Sequence, residues 1–172
     1  MCSSDLEFFA ILIFDVLEHA QNPSALIKEA FRVLKPSGRM FVYVPCENDR
    51  LSWVRLLGLF GLTEKYAGHI NHFSRKEIFA MLKNAGFKIQ KTRGSEHFFG
   101  QLAGLISFVL MERAGKKSAG QVNNESYFSF WRARFGFLAR ILSAIIYTLV
   151  FIESTLLARV PSPNAQIFVQ KD

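Results

Sequence analysis

Cysteine is nearly absent from this chain of 172 residues: Cys2 and Cys46 are the only two, and they form neither a CxxC pair nor any other metal-ligand spacing. That pattern excludes a disulfide framework and a thiolate zinc centre, and it fits a reducing cytoplasm. No block of five or more like charges occurs; the basic residues are scattered from Lys28 to Lys171. A nucleic-acid footprint needs such charges gathered on one surface, so nucleic acid is not expected as a partner. The N-terminus lacks a basic stretch followed by an apolar core and a small-residue cleavage site, so a secretory signal is not expected either. An uninterrupted bilayer-length apolar run is also missing. Between Arg140 and Glu153 only ILSAIIYTLVFI intervenes, against the roughly 20 residues a spanning helix needs.

What is present is apolar. Half of the residues are hydrophobic and 14% are aromatic, which excludes a disordered tail and allows one domain with its own core. The formal charge of +7 is compatible with attraction to an anionic membrane or an acidic substrate. The opening residues MCSSDL match the translation of a common sequencing-adapter end. They are expected to be a library scar on a gene fragment.

Phe8–Phe14 (FFAILIF) is short, continuously apolar and followed at once by polar residues, the pattern of a strand buried on both faces of a parallel sheet. Asn22-Pro23 supplies an N-cap and a proline at the first helical position. Leu26, Ile27, Ala30, Phe31 and Leu34 then recur at helical spacing. Lys35-Pro36-Ser37-Gly38 turns the chain into a second strand over 39–44, ended by Pro45. A looser apolar helical stretch covers 50–62, and a polar loop holding His69 and His72 covers 65–73. Ser74 and Glu77 have the spacing of a capping box, Gly86 closes the helix they open, and Phe87 to Gln90 alternates like a strand near a sheet edge. Beyond lie an apolar helix over 97–111, a mobile loop over 114–126, a long aromatic and aliphatic stretch over 127–160 broken by Pro161 and Pro163, and a final strand over 165–170.

Several of these segments together resemble the fourth-to-fifth-strand region of class I S-adenosylmethionine-dependent methyltransferases. They are Asp15-Val16-Leu17-Glu18-His19, the Asn22-Pro23 helix start, Arg32-Val33-Leu34-Lys35-Pro36-Ser37-Gly38, His69-Ile70-Asn71-His72-Phe73-Ser74 and Ala85-Gly86-Phe87. Ser37 stands where the family has the first of two glycines. The resemblance implies an α/β fold: a partial Rossmann-like sheet equivalent to strands 4 to 7, the last antiparallel, flanked by helices, with a hydrophobic helical insertion before the last strand. It further implies one truncated domain, with 8–93 as family-like core, 94–164 as helical insertion or lid and 165–170 as last strand. The glycine-rich loop and the acidic ribose-binding residue of the family would lie on preceding strands that this sequence does not contain. The chain alone is therefore expected to bind the cofactor poorly. Without those strands Phe8–Phe14 is an uncovered apolar edge, which predicts aggregation.

By that resemblance Asp15, Glu18 and His19 border S-adenosylmethionine, and His69 and His72 lie near the acceptor. Capping and a surface ion pair would also account for the polarity of Glu18 and His19. Histidine suits a general base that deprotonates an oxygen or nitrogen nucleophile; loop structure, with His72 capping or packing near Ser74, accounts for the two residues equally well. Three residues apart, His69 and His72 would share one face if helical, but no third ligand stands at a convincing spacing, so no metal site is expected. The acceptor is expected to be small or lipid-like. The location is expected to be cytoplasmic, with peripheral contact at the inner membrane face. The stretch between Arg140 and Glu153 reads first as a core or lid helix, and more sharply as an interfacial helix. The competing functional class is a non-catalytic helical module that docks on a membrane or a partner.

Overall fold

The computed structural model of the chain describes residues 8–118 and 124–172. The MCSSDL segment lies outside them. Strand β1 (Phe8–Phe14) leads through a 3-10 turn at Leu17–His19 into helix α1 (Pro23–Val33), and β2 (Leu34–Pro45) follows. Two short helices, α2 (Trp53–Leu56) and α3 (Phe60–Ala67), precede α4 (Arg75–Asn84) and β3 (Phe87–Ser95). Helices α5 (Phe99–Ser118) and α6 (Asn124–Leu156) then separate β3 from the last strand, β4 (Asn164–Lys171). The sheet runs β1-β2-β4-β3. β1 pairs parallel to β2, and β4 pairs antiparallel to both its neighbours. The antiparallel last strand is as the resemblance implies.

Local signals explain most element boundaries. Asn22 caps α1 by accepting from Ala25 N at 3.0 Å, and Ile27, Ala30 and Leu34 form the buried stripe. The amine of Lys171 reaches Phe31 O and Leu34 O, each at 2.7 Å, placing a cation on backbone carbonyls where α1 ends. The Ser74–Glu77 capping box forms with both of its bonds. Gly86 closes α4 at φ 101°, where an added Cβ would lie 2.9 Å from Phe31 Cζ. The Lys35–Gly38 turn is carried inside β2 as an irregularity, since Phe8 pairs with Leu34 and Ala10 already with Arg39. Ser37 takes φ 61° there, a left-handed conformation that costs a non-glycine residue about 1 kcal/mol.

The core lies on one face of the sheet. Ile13, Met40, Val42, Val44, Ile167 and Val169 pack against Ile27 from α1 and Ile78 and Leu82 from α4. The other face carries a row of aromatic rings, Phe14, Phe41 and Phe168, with neighbouring centroids 5.1 and 4.7 Å apart.

Four expectations need correction. β1 is not buried on both faces: Phe9 is 75% and Leu12 67% exposed, because it is the sheet edge and α1 and α4 cover only one side. The polar loop is shorter than expected, since α3 runs to Ala67 and only then does Gly68 turn the chain at φ 76°. The loop expected over 114–126 is helical up to Ser118 and from Asn124; residues 119–123 lie outside the described residues. Finally, the stretch between Arg140 and Glu153 is not a core helix. It belongs to a continuous helical segment, Gly136–Leu156, of 21 residues and mean hydropathy 1.8, of which only 6% is buried.

Candidate active site at the strand tips

The carboxyl ends of β1 and β2 lie side by side, and open α/β sheets place ligands beyond such ends. Asp15 leaves β1 at φ 47°, a backbone conformation that aspartate tolerates better than most residues, while its amide stays tied to Tyr43 O at 3.1 Å. The 3-10 turn that follows brings Glu18 inward until it is fully buried, with neither carboxylate oxygen hydrogen-bonded. Burial raises the Glu18 carboxyl above the usual carboxylate range, and the same effect lifts Asp15. His19 stays exposed; its Nδ1–H donates to Gly68 O at 2.8 Å, which leaves Nε2 as the basic nitrogen.

The histidine loop folds over this tip. Asn71 fixes it: its side-chain amide donates to Ala20 O at 2.7 Å and to Leu17 O at 3.3 Å, and the backbone amides of Ile70 and Asn71 both donate to Glu18 O at 3.0 Å. His69 thereby sits edge-on to His19, with ring centroids 5.1 Å apart. His69 and His72 share no helical face. They meet instead at a residue the sequence reading did not select, Glu47.

Glu47 lies two residues beyond β2 and is buried. His69 Nδ1–H donates to its Oε1 at 2.7 Å, His72 Nδ1–H to its Oε2 at 2.6 Å, and Thr63 Oγ1–H to Oε2 at 3.0 Å. Burial alone would raise the Glu47 carboxyl, but these donors hold it below its ordinary value. For His69, desolvation alone would favour the neutral ring; the hydrogen bond and charge of Glu47, with Glu18 and Asp15 behind, raise its pKa. His72 also meets Glu64 Oε1 through Nε2 at 3.2 Å, so both its ring nitrogens are engaged on carboxylates. His69 keeps Nε2 without a hydrogen-bonding partner among the described residues. The one signal that could have found Glu47 was its position just past a strand end, the rim where open α/β sheets place ligands.

Glu18, His19 and His69 present ligand atoms that all lie within 4.8 Å of one another, close enough to share one cation. Two of these three residues come from the turn after β1, and His72, held by Glu47 and Glu64, takes no part in the grouping. Beside Glu47 opens a cavity of about 130 Å³, lined by Pro45, Trp53, Leu59, Leu105 and Phe108 with Glu47 and Glu96 on its wall. Tyr43 OH donates to Glu96 Oε1 at 2.8 Å, and burial raises the Tyr43 phenol above its ordinary value.

Comparison with known proteins shows the family and the fold. A family profile described as a methyltransferase domain matches residues 3–92. The chain belongs to that family, the class I S-adenosylmethionine-dependent methyltransferases. An uncharacterized protein of Methanocaldococcus jannaschii, MJ1123, is 39% identical over 85 residues, 49% of this chain and 40% of that protein. A ubiquinone biosynthesis O-methyltransferase of Xanthomonas axonopodis pv. citri is 28% identical over 91 residues, 51% of this chain and 38% of that enzyme. The match therefore spans about two fifths of the length of these curated relatives. Among solved structures, the cyclase SpnF superposes with TM-score 0.53 at 15% identity, covering 99% of this chain and 52% of its own. The cyclopropane synthase MmaA2 of Mycobacterium tuberculosis superposes with TM-score 0.51 at 11% identity, covering 94% and 55%. Those two likenesses concern the fold alone.

Proposed function

We propose that this chain forms the acceptor-side half of an S-adenosylmethionine-dependent methyltransferase, in which His69 removes the proton from an oxygen or nitrogen nucleophile on a small acceptor. The reading is carried by His69 itself. Its Nδ1–H is fixed on Glu47, its Nε2 has no hydrogen-bonding partner among the described residues, and its ring lies beside Glu18 and His19. This is the arrangement of a base oriented by a carboxylate.

Asp15, Glu18 and His19 fit the cofactor's border. A buried carboxyl with two unpartnered oxygens needs donors, and the amino groups and hydroxyls of S-adenosylmethionine carry them. When bound, that cofactor supplies an already activated methyl group, so the protein contributes alignment and a base. His72, held between Glu47 and Glu64, steadies Glu47 rather than meeting the acceptor. The apolar cavity beside Glu47 would take the acceptor. At about 130 Å³ it is smaller than the roughly 300 Å³ of ordinary ligand sites, so a lipid-like acceptor would enter only by its end group.

The test uses a protein that carries this segment behind a complete cofactor-binding half. His69→Gln is expected to lower kcat by about 10²- to 10⁴-fold with cofactor affinity kept. The wild-type rate should rise with pH through a value above 6.5, because the base must be neutral and its pKa is raised. A change in kcat below about threefold, judged against that expected loss, refutes the base assignment. A second reading has its own observation, the Glu18–His19–His69 grouping, in which a divalent cation orients the acceptor oxygen. Loss of activity on chelation, with recovery on adding a divalent cation, would favour it.

A further inference from the structure

We infer that the helical segment Gly136–Leu156 docks this protein onto one leaflet of an anionic lipid bilayer. The inference does not depend on the methyl-transfer reading. A helix that lies on the surface of a soluble protein shows one apolar stripe about 100° wide. This segment differs: Phe137, Leu138, Leu142, Tyr147, Phe151 and Leu156 are each at least 60% exposed, and at 100° per residue they occupy more than half the circumference. One partner groove would cover a single stripe, whereas lipid can cover the wider apolar arc that remains when the Glu153 side of the helix stays on the protein.

One attachment and one break in the helix suit this role. Its one acidic side chain, Glu153, is buried and accepts from the amides of Phe98 and Phe99, so it caps α5 instead of facing lipid. Gly136 breaks the helix at φ 32°, ψ −100°, which separates the apolar segment from the preceding part of α6. Charge complementarity selects the lipid. Arg140 and Arg159 are exposed near the two ends, Arg132 and Arg134 precede the segment in sequence, and the whole chain carries +7. Arginines at this depth place their stems along acyl chains and their guanidinium groups among phosphates. An in-plane pose leaves Arg140 at the headgroups, where a spanning pose would draw it into the hydrocarbon. A preceding half of the domain is not the natural cover for this helix. Such a half would extend the sheet at the β1 edge, and α6 packs chiefly against α5 and β3, the strand at the opposite edge.

The test is flotation of the 172-residue chain with phosphatidylcholine vesicles, with and without phosphatidylglycerol. Binding is expected only when phosphatidylglycerol is present. The double variant Leu138→Glu, Leu142→Glu alters exposed side chains and should lower the bound fraction at least tenfold while circular dichroism and the unfolding midpoint stay unchanged. A control, Leu12→Glu on the exposed face of β1, should bind as wild type. Undiminished binding by the helix variant, loss of binding by the β1 variant, or equal binding to phosphatidylcholine alone would each overturn the inference. So would loss of vesicle binding in a longer protein that carries the preceding half.

Discussion

Replacing Glu47 by glutamine keeps the side chain's shape and removes its charge, and three donors converge on that one group. A carboxylate offers two acceptor oxygens, which His69, His72 and Thr63 use at 2.7, 2.6 and 3.0 Å. An amide offers one acceptor, and its NH2 must face at least one imidazole N–H. Each hydrogen bond to a charged group contributes about 1.5–3 kcal/mol, against about 0.5–1.5 for a neutral one. Losing one bond and the charge assistance of another should cost about 2–4 kcal/mol in unfolding free energy, read from urea denaturation.

The pH dependence identifies the source. The folded pKa of Glu47 is depressed, so its contribution is present above its unfolded value of 4.5 and fades as pH falls through the folded value. The folded pKa of His69 is raised, so its contribution is complete below 6.5 and is lost as pH rises through the folded value. The gap between wild type and Glu47→Gln should therefore be widest between 4.5 and 6.5 and narrow on both sides. A gap below about 0.5 kcal/mol, or one that stays constant from about pH 4 to about pH 8, would refute the claim that this carboxylate holds the two histidines.

Two further outcomes follow from the packing. Asn71→Ala deletes the amide that joins the histidine loop to Leu17 and Ala20. The expected cost is about 1–3 kcal/mol, with the His69 ring resonances shifting while those of Phe87 in the far core stay put; unmoved His69 resonances would show that the backbone bonds alone hold the loop. Gly86→Ala places a Cβ 2.9 Å from Phe31 Cζ at φ 101°. It should lower stability by more than about 1 kcal/mol, and an unchanged thermal midpoint would argue against this contact.

Much of the fold was written locally. The Asn22-Pro23 start, the Ser74–Glu77 capping box and the Gly86 stop each involve residues within a few positions of one another, where backbone geometry alone dictates the partner. That the last strand is antiparallel came through the resemblance rather than from periodicity. Positions at the β1 tip were visible because polar residues follow an apolar strand at once. The apolar run of β1 by itself pointed to burial on both faces, because such a run reads the same whether or not anything covers it; its bare edge was legible only through the preceding strands that the resemblance implies. The reach of the apolar helix was missed for a related reason: counting between Arg140 and Glu153 assumed both charges end the segment, whereas Glu153 is paired with the amides of α5.

By itself the sequence determined the residue types at the site: acidic and imidazole side chains at a strand tip, and a histidine loop ending in a helix cap. Only the tertiary structure decided how they act together. Glu47 meets His69 across 22 residues of chain, and Asn71 reaches Ala20 across 51. No local periodicity encodes such contacts, since they arise when two parallel strands bring their carboxyl ends side by side and a loop must satisfy the polar groups left there. That meeting separates His69, whose Nε2 has no partner among the described residues, from His72, whose two ring nitrogens both meet carboxylates.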